Sequence, residues 1–439
     1  MIRKFDGRRT SLGCVAVAFA VLGWGGARAE DDVDALFDVG APQGSGLKWG
    51  GYGELGLART YADPEHWSKM RGRLELGGSG KATGSVKWVL SVRADADLAY
   101  GGGEDFYPTA VKRDQRSDWM IRDAYVDISH GDWDYRLGRQ QVVWGEMVGL
   151  FFADVVSARD VREFYLPEFS ALRIPQWAAR AEYFKDDFHA EFLWIPVPSF
   201  DLVGKPGAEF YPFNPGPGGR ILSEDKPGVR PGNGNWGLRL SALRGGWDLS
   251  AFYYRSLDVS PSFHPLGAGV FEPRHDRLRQ FGGTLAKDFG DFVLKGELVH
   301  THGRSFNTFS WAAGAGMKAS DTLDYVVGVD VPVEDRWRFN AQVFARVFYD
   351  RDPSMGVERQ EPGASLLVNR RFNHTLEAEA LLVSSLNRND YMFRPKVIWK
   401  FAPDWRGQAG LDVFGGKAQG LFGPYAQRDR AYLEVRRDF

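Results

Sequence analysis

From Val86 to Leu98 the chain alternates. Val86, Trp88, Leu90, Val92, Ala94, Ala96 and Leu98 share one face of an extended strand, with Lys87, Ser91, Arg93, Asp95 and Asp97 on the other. Successive side chains of a strand point to opposite faces, so this run has one apolar and one wet side. It is longer than most half-buried soluble strands. Just before it, Met70, Gly72, Leu74 and Leu76 alternate with Lys69, Arg71, Arg73 and Glu75. Later, Trp337, Phe339, Ala341, Val343 and Ala345 oppose Arg338, Asn340, Gln342 and Arg346, and Leu376, Ala378, Ala380 and Leu382 oppose Glu377 and Glu379. The last residues, AYLEVRRDF, set Ala431, Leu433, Val435 and Phe439 against Tyr432, Glu434, Arg436 and Asp438. Such segments recur from Leu47 to Phe439, the signature of a membrane barrel whose apolar face meets lipid and whose charged face meets the lumen.

The connections alternate as well. Short ones fall at 78–84, 130–132, 185–187, 244–246, 288–291, 332–336, 371–374 and 402–405; long ones fall at 100–117, 145–176, 196–234, 258–276, 303–321, 350–362 and 415–428. Short periplasmic turns and long external loops are the barrel rule. The sequence therefore predicts an all-β fold, a transmembrane antiparallel β-barrel of about 18 strands spanning 47–439 as one domain. Miscounting one hairpin around 303–331 would make it 16. An even count leaves both termini periplasmic. The loop 145–176 is apolar enough to pack inside, with a helix-compatible stretch around Asp154–Phe164, and is expected to fold into the lumen. The loop 196–234, rich in proline and glycine, resists regular structure and is expected to be a mobile external lid.

The beginning of the chain fits an exported protein. Arg3, Lys4, Arg8 and Arg9 precede an apolar run from Leu12 to Leu22 and then Ala27-Arg28-Ala29, a signal peptide over 1–29 cleaved after Ala29. Residues 30–46 would follow as a periplasmic N-terminal segment. The one cysteine, Cys14, lies inside the signal, so the mature chain has no disulfide, thiol nucleophile or thiolate metal site. Its balance is 50 Lys+Arg against 56 Asp+Glu, a net of −6, which argues against nucleic acid. Aromatics make up 14% of residues, with 15 Trp, as interface girdles would require. Outer-membrane barrels end on an aromatic-terminated strand read by the assembly machinery. Lipid and that machinery are the expected partners.

The most specific local stretch is LGRQQVVWGE (137–146), followed by DVVSARDVREF (154–164). Trp133, Tyr135 and Leu137 continue an outward face, whereas Val142 and Trp144 fall in the opposite phase. A β-bulge at Gly138-Arg139 would reconcile them and turn Arg139 and Gln141 inward beside Asp134 and Arg136. Together with RDAYVDI (122–128), these motifs resemble a proteobacterial outer-membrane family known only as a domain of unknown function. Its members carry L-G-R-Q-x-x-x-W-G and then D-x-V-N-P-x-D-x-R-E-F; here Ser157-Ala158-Arg159 replaces Asn-Pro-x. The resemblance implies an outer-membrane barrel, often encoded near resistance-nodulation-division exporters. A looser similarity is to alginate-export porins.

Inward arginines facing carboxylates create a transverse field that filters solutes by charge and size. The candidate pore-lining or constriction residues are Arg71, Arg73, Glu75, Arg93, Asp95, Asp123, Arg136, Arg139, Gln141, Arg159, Asp160, Arg162, Glu163 and Arg346. A polar, self-satisfying lumen wall is the plainer role for each. His300 and His302 share a strand face but lack an obvious third ligand, and Asp95, Asp97, Glu104 and Asp105 lack EF-hand order. The expectation is a non-enzymatic channel for passive passage of small or organic solutes, with no cofactor and no metal. The alternative is a barrel serving an inner-membrane exporter of hydrophobic compounds, suggested by the apolar segment Met147–Val156. An outer-membrane enzyme is the minor alternative.

Overall fold

In the computed structural model, which describes residues 47–101, 106–145, 147, 152–267, 269–308 and 316–439, the alternating segments pair edge to edge into one closed sheet. The first six strands are β1 (Lys48–Thr60), β2 (His66–Lys81), β3 (Val86–Asp97), β4 (Ser117–His130), β5 (Trp133–Gln140) and β6 (Gln176–Lys185). Next come β7 (Phe188–Val197), β8 (Asn235–Arg244), β9 (Trp247–Leu257), β10 (Arg277–Asp288), β11 (Val293–His302) and β12 (Thr322–Val333). The ring finishes with β13 (Trp337–Phe348), β14 (Gln360–Arg371), β15 (Leu376–Ser385), β16 (Asp390–Ala402), β17 (Trp405–Gly415) and β18 (Arg430–Asp438). This is a closed barrel of 18 antiparallel strands.

Closure is made by β1 and β18, in register from Tyr52 opposite Asp438 to Thr60 opposite Arg430. Phe439 adds a reciprocal pair of backbone bonds with Gly51, at 2.9 and 3.0 Å. A closed ring leaves no unpaired edge, which hydrocarbon would penalise. Outside, residues such as Val343 (57% exposed) and Leu433 (48%) form the apolar band. Exposed aromatics gather at the short-turn rim (Trp49, Trp133, Phe289, Phe372, Trp405) and at the long-loop rim (Trp119, Trp194, Trp236, Phe281, Tyr391). Two aromatic girdles flanking an apolar band are the surface a membrane-spanning barrel needs. No helix among the described residues is long and apolar enough to cross a membrane.

Four local expectations differ from the structure. No register shift interrupts β4–β5 or β5–β6, so the bulge is not at Gly138-Arg139. It lies on β4, where Ser91 pairs with Asp123 and Val92 with Ile121, leaving Arg122 unpaired. The bulge puts Arg122 and Asp123 consecutively toward the lumen. Val142 and Trp144 are not lipid-facing but buried, continuing the inward series of Arg136, Gly138 and Gln140. Third, Asp154–Phe164 is not helical; Ala158–Arg159 pairs with Arg173–Ile174, and the loop's helical turn is Phe169–Leu172. Finally, the loop after β7 is no free external lid. Its first part packs inward, with Phe200, Glu209 and Phe210 buried.

Candidate functional site: a loop pinned across the lumen

The long loop between β5 and β6 begins by packing on the wall nearest its origin. Trp144 is fully buried, its Nε1–H donating to Glu191 of β7 at 3.1 Å, with Phe252 and Tyr254 of β9 around the indole. Space for that indole comes from Gly237 on β8. A Cβ there would lie 2.6 Å from the ring. Glu297 of β11 takes the backbone N–H groups of Met147 and Ala153 at 3.0 and 2.9 Å. A small apolar core with Val142, Val156, Leu193, Ile195 and Val299 completes this anchorage.

The loop then crosses to the opposite wall, where DVVSARDVREF supplies the contacts. Asp154 receives Ser157 Oγ and Arg173 Nε, and Arg159 donates to the Asp154 carbonyl. Asp160 pairs with Arg162 at 2.6 Å, and Arg162 reaches Asp118 at 2.9 Å. Glu163 is the hub: Lys69 Nζ lies 2.6 Å away, Arg71 2.5 Å and Arg430 3.2 Å. Burial pushes the Glu163 carboxyl up, but Lys69, Arg71 and Arg430 outweigh it and hold it well below the usual carboxylate range. The Asp160 carboxyl is likewise lowered, its burial outweighed by Arg162 and Arg93. Phe164, at φ +55°, enters an aromatic cluster with Phe210, Phe414, Phe422 and Tyr425. Wall arginines catch the loop's carbonyls: Arg93 takes Ala171, Arg122 takes Ser170 and Arg173, and Arg394 takes Leu166. Buried charges in such a site must be paired, and here the pairing fixes a segment across the barrel.

The predicted residues separate into groups. Arg71, Arg73, Asp95, Asp160, Arg162 and Glu163 converge around a small cavity of about 50 Å³. Arg93 joins them through Asp95, which it shares with Arg73. Glu75 accepts from Tyr52, and Asp123 accepts from Ser91 on the lumen face. Arg136 forms a pair with Asp127 nearer the short-turn rim. Arg159 and Arg346 lie elsewhere, lining a large outer cavity. Arg139 and Gln141 fall in the outward phase, because Arg139 pairs with Ala124 and Trp177 while Gln140 turns into the wall. Arg139 Nε donates to the Ile121 carbonyl at 2.6 Å, bracing the backbone beside the Arg122 bulge. Gly138 adopts φ +130°, and a Cβ there would sit 2.1 Å from the Ala124 carbonyl oxygen. Only glycine fits that approach.

Sequence reasoning missed Lys69 as a partner of Glu163, and also Arg122, Arg394, Asp412 and Arg430. Asp412 holds Arg394 and Arg430, both at 2.8 Å. The available signal was the inward phase of Asp412 and Arg430, two charges on neighbouring final strands. The second loop adds Glu209, which accepts from His66 and Tyr107 at 2.9 Å. His300 and His302 share the outward face, beside Phe281, and His302 Nδ1 lies 2.8 Å from Asp321. Glu104 and Asp105 lie outside the described residues.

The model of the family described as "Protein of unknown function (DUF1302)" matches residues 69–439. The chain belongs to that family. Among curated proteins none matches it in sequence. Two solved structures of Acinetobacter baumannii proteins share the fold of this DUF1302 member. OccAB2 has a TM-score of 0.54 at 11% identity, covering 90% of this chain and 99% of its own. OccAB4 has a TM-score of 0.52 at 10% identity, with the same coverage. Salmonella typhi OmpF, solved with daunomycin, is matched at TM-score 0.46 and 10% identity over 90% of this chain and 97% of its own.

Proposed function

We propose that this DUF1302 member is a channel of the Gram-negative outer membrane for passive passage of small or organic solutes. Its termini would face the periplasm, and its partners would be lipid and the barrel-assembly machinery. The observation that carries the reading is the loop after β5, held across an 18-strand lumen by Glu163 on one wall and Trp144 on the other. A porin needs such an element, because a barrel of this size otherwise leaves a wide aqueous hole. Solutes would be sorted at the Arg71–Glu163 cluster by size and charge, without cofactor or chemistry. Planar-bilayer recording of the refolded full chain tests this: discrete ion-conducting steps are expected. Zero conductance, even with 145–176 and 196–234 deleted, would overturn it.

At the histidine pair, His302 Nδ1 has Asp321 as a partner at 2.8 Å, while Ser320 directs its hydroxyl to the Asp321 carbonyl and accepts the Asp350 N–H. An outer-membrane enzyme is therefore kept as the minor reading. A second reading, a barrel serving an inner-membrane exporter of hydrophobic compounds, is favoured by the aromatic lining of the outer cavity. Rapid uptake of small sugars by liposomes carrying the protein would count against that export role.

A further inference from the structure

Above the crossing loop, on the side away from Glu163, lies a cavity of about 770 Å³ between the inner faces of β9–β16 and the outer loops. Its size is that of a site for a whole organic molecule rather than an ion. Two features of its wall stand out. Phe152, Tyr165, Phe213, Phe306 and Phe344 line it while only half-buried, and Leu421 is 57% exposed at its edge. Apolar surface left facing water inside a pore serves no purpose for hydrated ions, and is commonly where a ligand binds. The second feature is its charge. The described lining holds Arg159, Arg304, Arg346 and Arg388 against Asp154, Asp258, Asp324 and Glu361, four of each sign. Arg346 grips Asp324 at 2.6 Å, Arg304 grips Asp258 at 2.9 Å, Arg388 bonds Glu361, and Arg159 Nη2 sits 3.6 Å from Asp154. Each arginine's charge is thus already matched by a neighbouring carboxylate, so the lining offers a ligand carboxylate no net positive charge, whereas a neutral ligand needs none. Hydroxyl and amide groups also line the cavity, among them Ser256 and Gln419, with Ser262 and Asn307 bonded to Asp276 and to the Phe263 backbone.

From this juxtaposition we infer that the outer cavity is a binding site for neutral amphipathic organic solutes, carrying an apolar ring or chain at one end and hydroxyl groups at the other. The inference deepens the channel reading and rests on it only for the claim that bound solute then passes inward. Aromatic rings prefer offset or edge contacts with other rings, so a flat apolar moiety would seat against Phe306 and Phe344 with its hydroxyls toward the Ser/Asn side.

The test compares three solutes of similar size on the unmodified full chain: sucrose, 4-nitrophenyl glucoside and 4-nitrophenyl glucuronide. In bilayer recordings the aryl glucoside should half-block the current at a concentration at least about tenfold below sucrose, a difference near 1.4 kcal/mol. The glucuronide should be no better than the glucoside. Calorimetric titration of the protein in nanodiscs should give the same order. Equal action of sucrose and aryl glucoside, or a strong preference for the glucuronide, would overturn the site. Phe306→Ser with Phe344→Ser should bring the aryl glucoside to within about twofold of sucrose; an unchanged ratio in folded protein would also overturn it. Ring-dependent binding in nanodiscs without any conductance would retain the site and overturn the channel reading instead.

Discussion

Arg71 and Glu163 meet at 2.5 Å across the lumen although 92 residues separate them, one on the wall strand β2 and the other on the loop that leaves β5. The same carboxylate holds Lys69 and Arg430. One acidic group on the loop therefore contacts three cations on the two strands that flank β1, and it fixes where the loop rests. Glu163→Gln should remove that charge while keeping the shape. Removing one member of a buried ionic cluster typically costs about 3–5 kcal/mol. The reversal potential in a salt gradient should move toward anion selectivity, because Lys69, Arg71 and Arg430 lose one shared counter-charge and keep only Glu434, Glu54 and Asp412 respectively. A shift toward cations, or none, would show that the ions pass elsewhere.

The same cluster predicts a pH response. A carboxyl whose folded pKa is depressed contributes stability that is complete above its ordinary value and is lost as pH falls through the folded value. Glu163 and Asp160 are both depressed, from ordinary values of 4.5 and 3.8. Conductance should be flat from pH 8 down to about 4.5 and change only below it, as the loop loses its hold. A titration step near pH 6 would contradict this assignment.

Arg71, Arg139 and Arg338 make a three-way comparison. Arg71→Ala leaves Glu163 less compensated and should shift selectivity toward cations. Arg139→Ala removes a bond to the Ile121 carbonyl on the barrel wall; charged hydrogen bonds are worth about 1.5–3 kcal/mol. It should lower the unfolding midpoint in urea and leave the reversal potential in place. Arg338→Ala, beside the short turn after β12, should do neither. If Arg139→Ala moves selectivity as much as Arg71→Ala, the register-based placement of Arg139 is wrong.

The period-2 pattern made the barrel readable because lipid and lumen alternate at each residue, and no tertiary contact can reverse that alternation once the strands pair. The loop positions followed from the same pattern. The interior of the wall beside β5 was harder. Val142 and Trp144 looked lipid-facing because they are apolar, but the loop they begin supplies its own apolar lumen core with Leu193 and Val299. Invoking a bulge at Gly138 to rescue the phase then sent Arg139 inward, while the actual bulge, at Arg122, carries no glycine or proline to mark it. For the site, DVVSARDVREF was legible as a charged loop segment. Its partners were not, since Arg430 lies 267 residues beyond Glu163 and only closure of the ring brings them together.

Trp144 gives the last prediction, because it separates the barrel from its internal loop. The indole fills the space beside Gly237, fully buried, and its N–H is satisfied by Glu191. Trp144→Ala should cost about 3–5 kcal/mol through lost burial and a cavity, but the strands pair through backbone bonds that this side chain does not touch. Gly237→Ala attacks the same contact from the wall, placing a methyl 2.6 Å from the ring and 2.8 Å from the Tyr253 carbonyl oxygen. Both variants should still migrate as compact barrels on unheated detergent gels. Both should also show raised open-channel noise and faster protease cleavage in 141–175, since the near anchorage is weakened to the Glu297 bonds and the small apolar core while Glu163 still holds the far one. Cleavage at the unmodified rate in a folded Trp144→Ala barrel would mean that the Glu297 bonds and the Glu163 cluster fix the loop without the indole. Combining Trp144→Ala with Glu163→Gln would then be the variant that frees it.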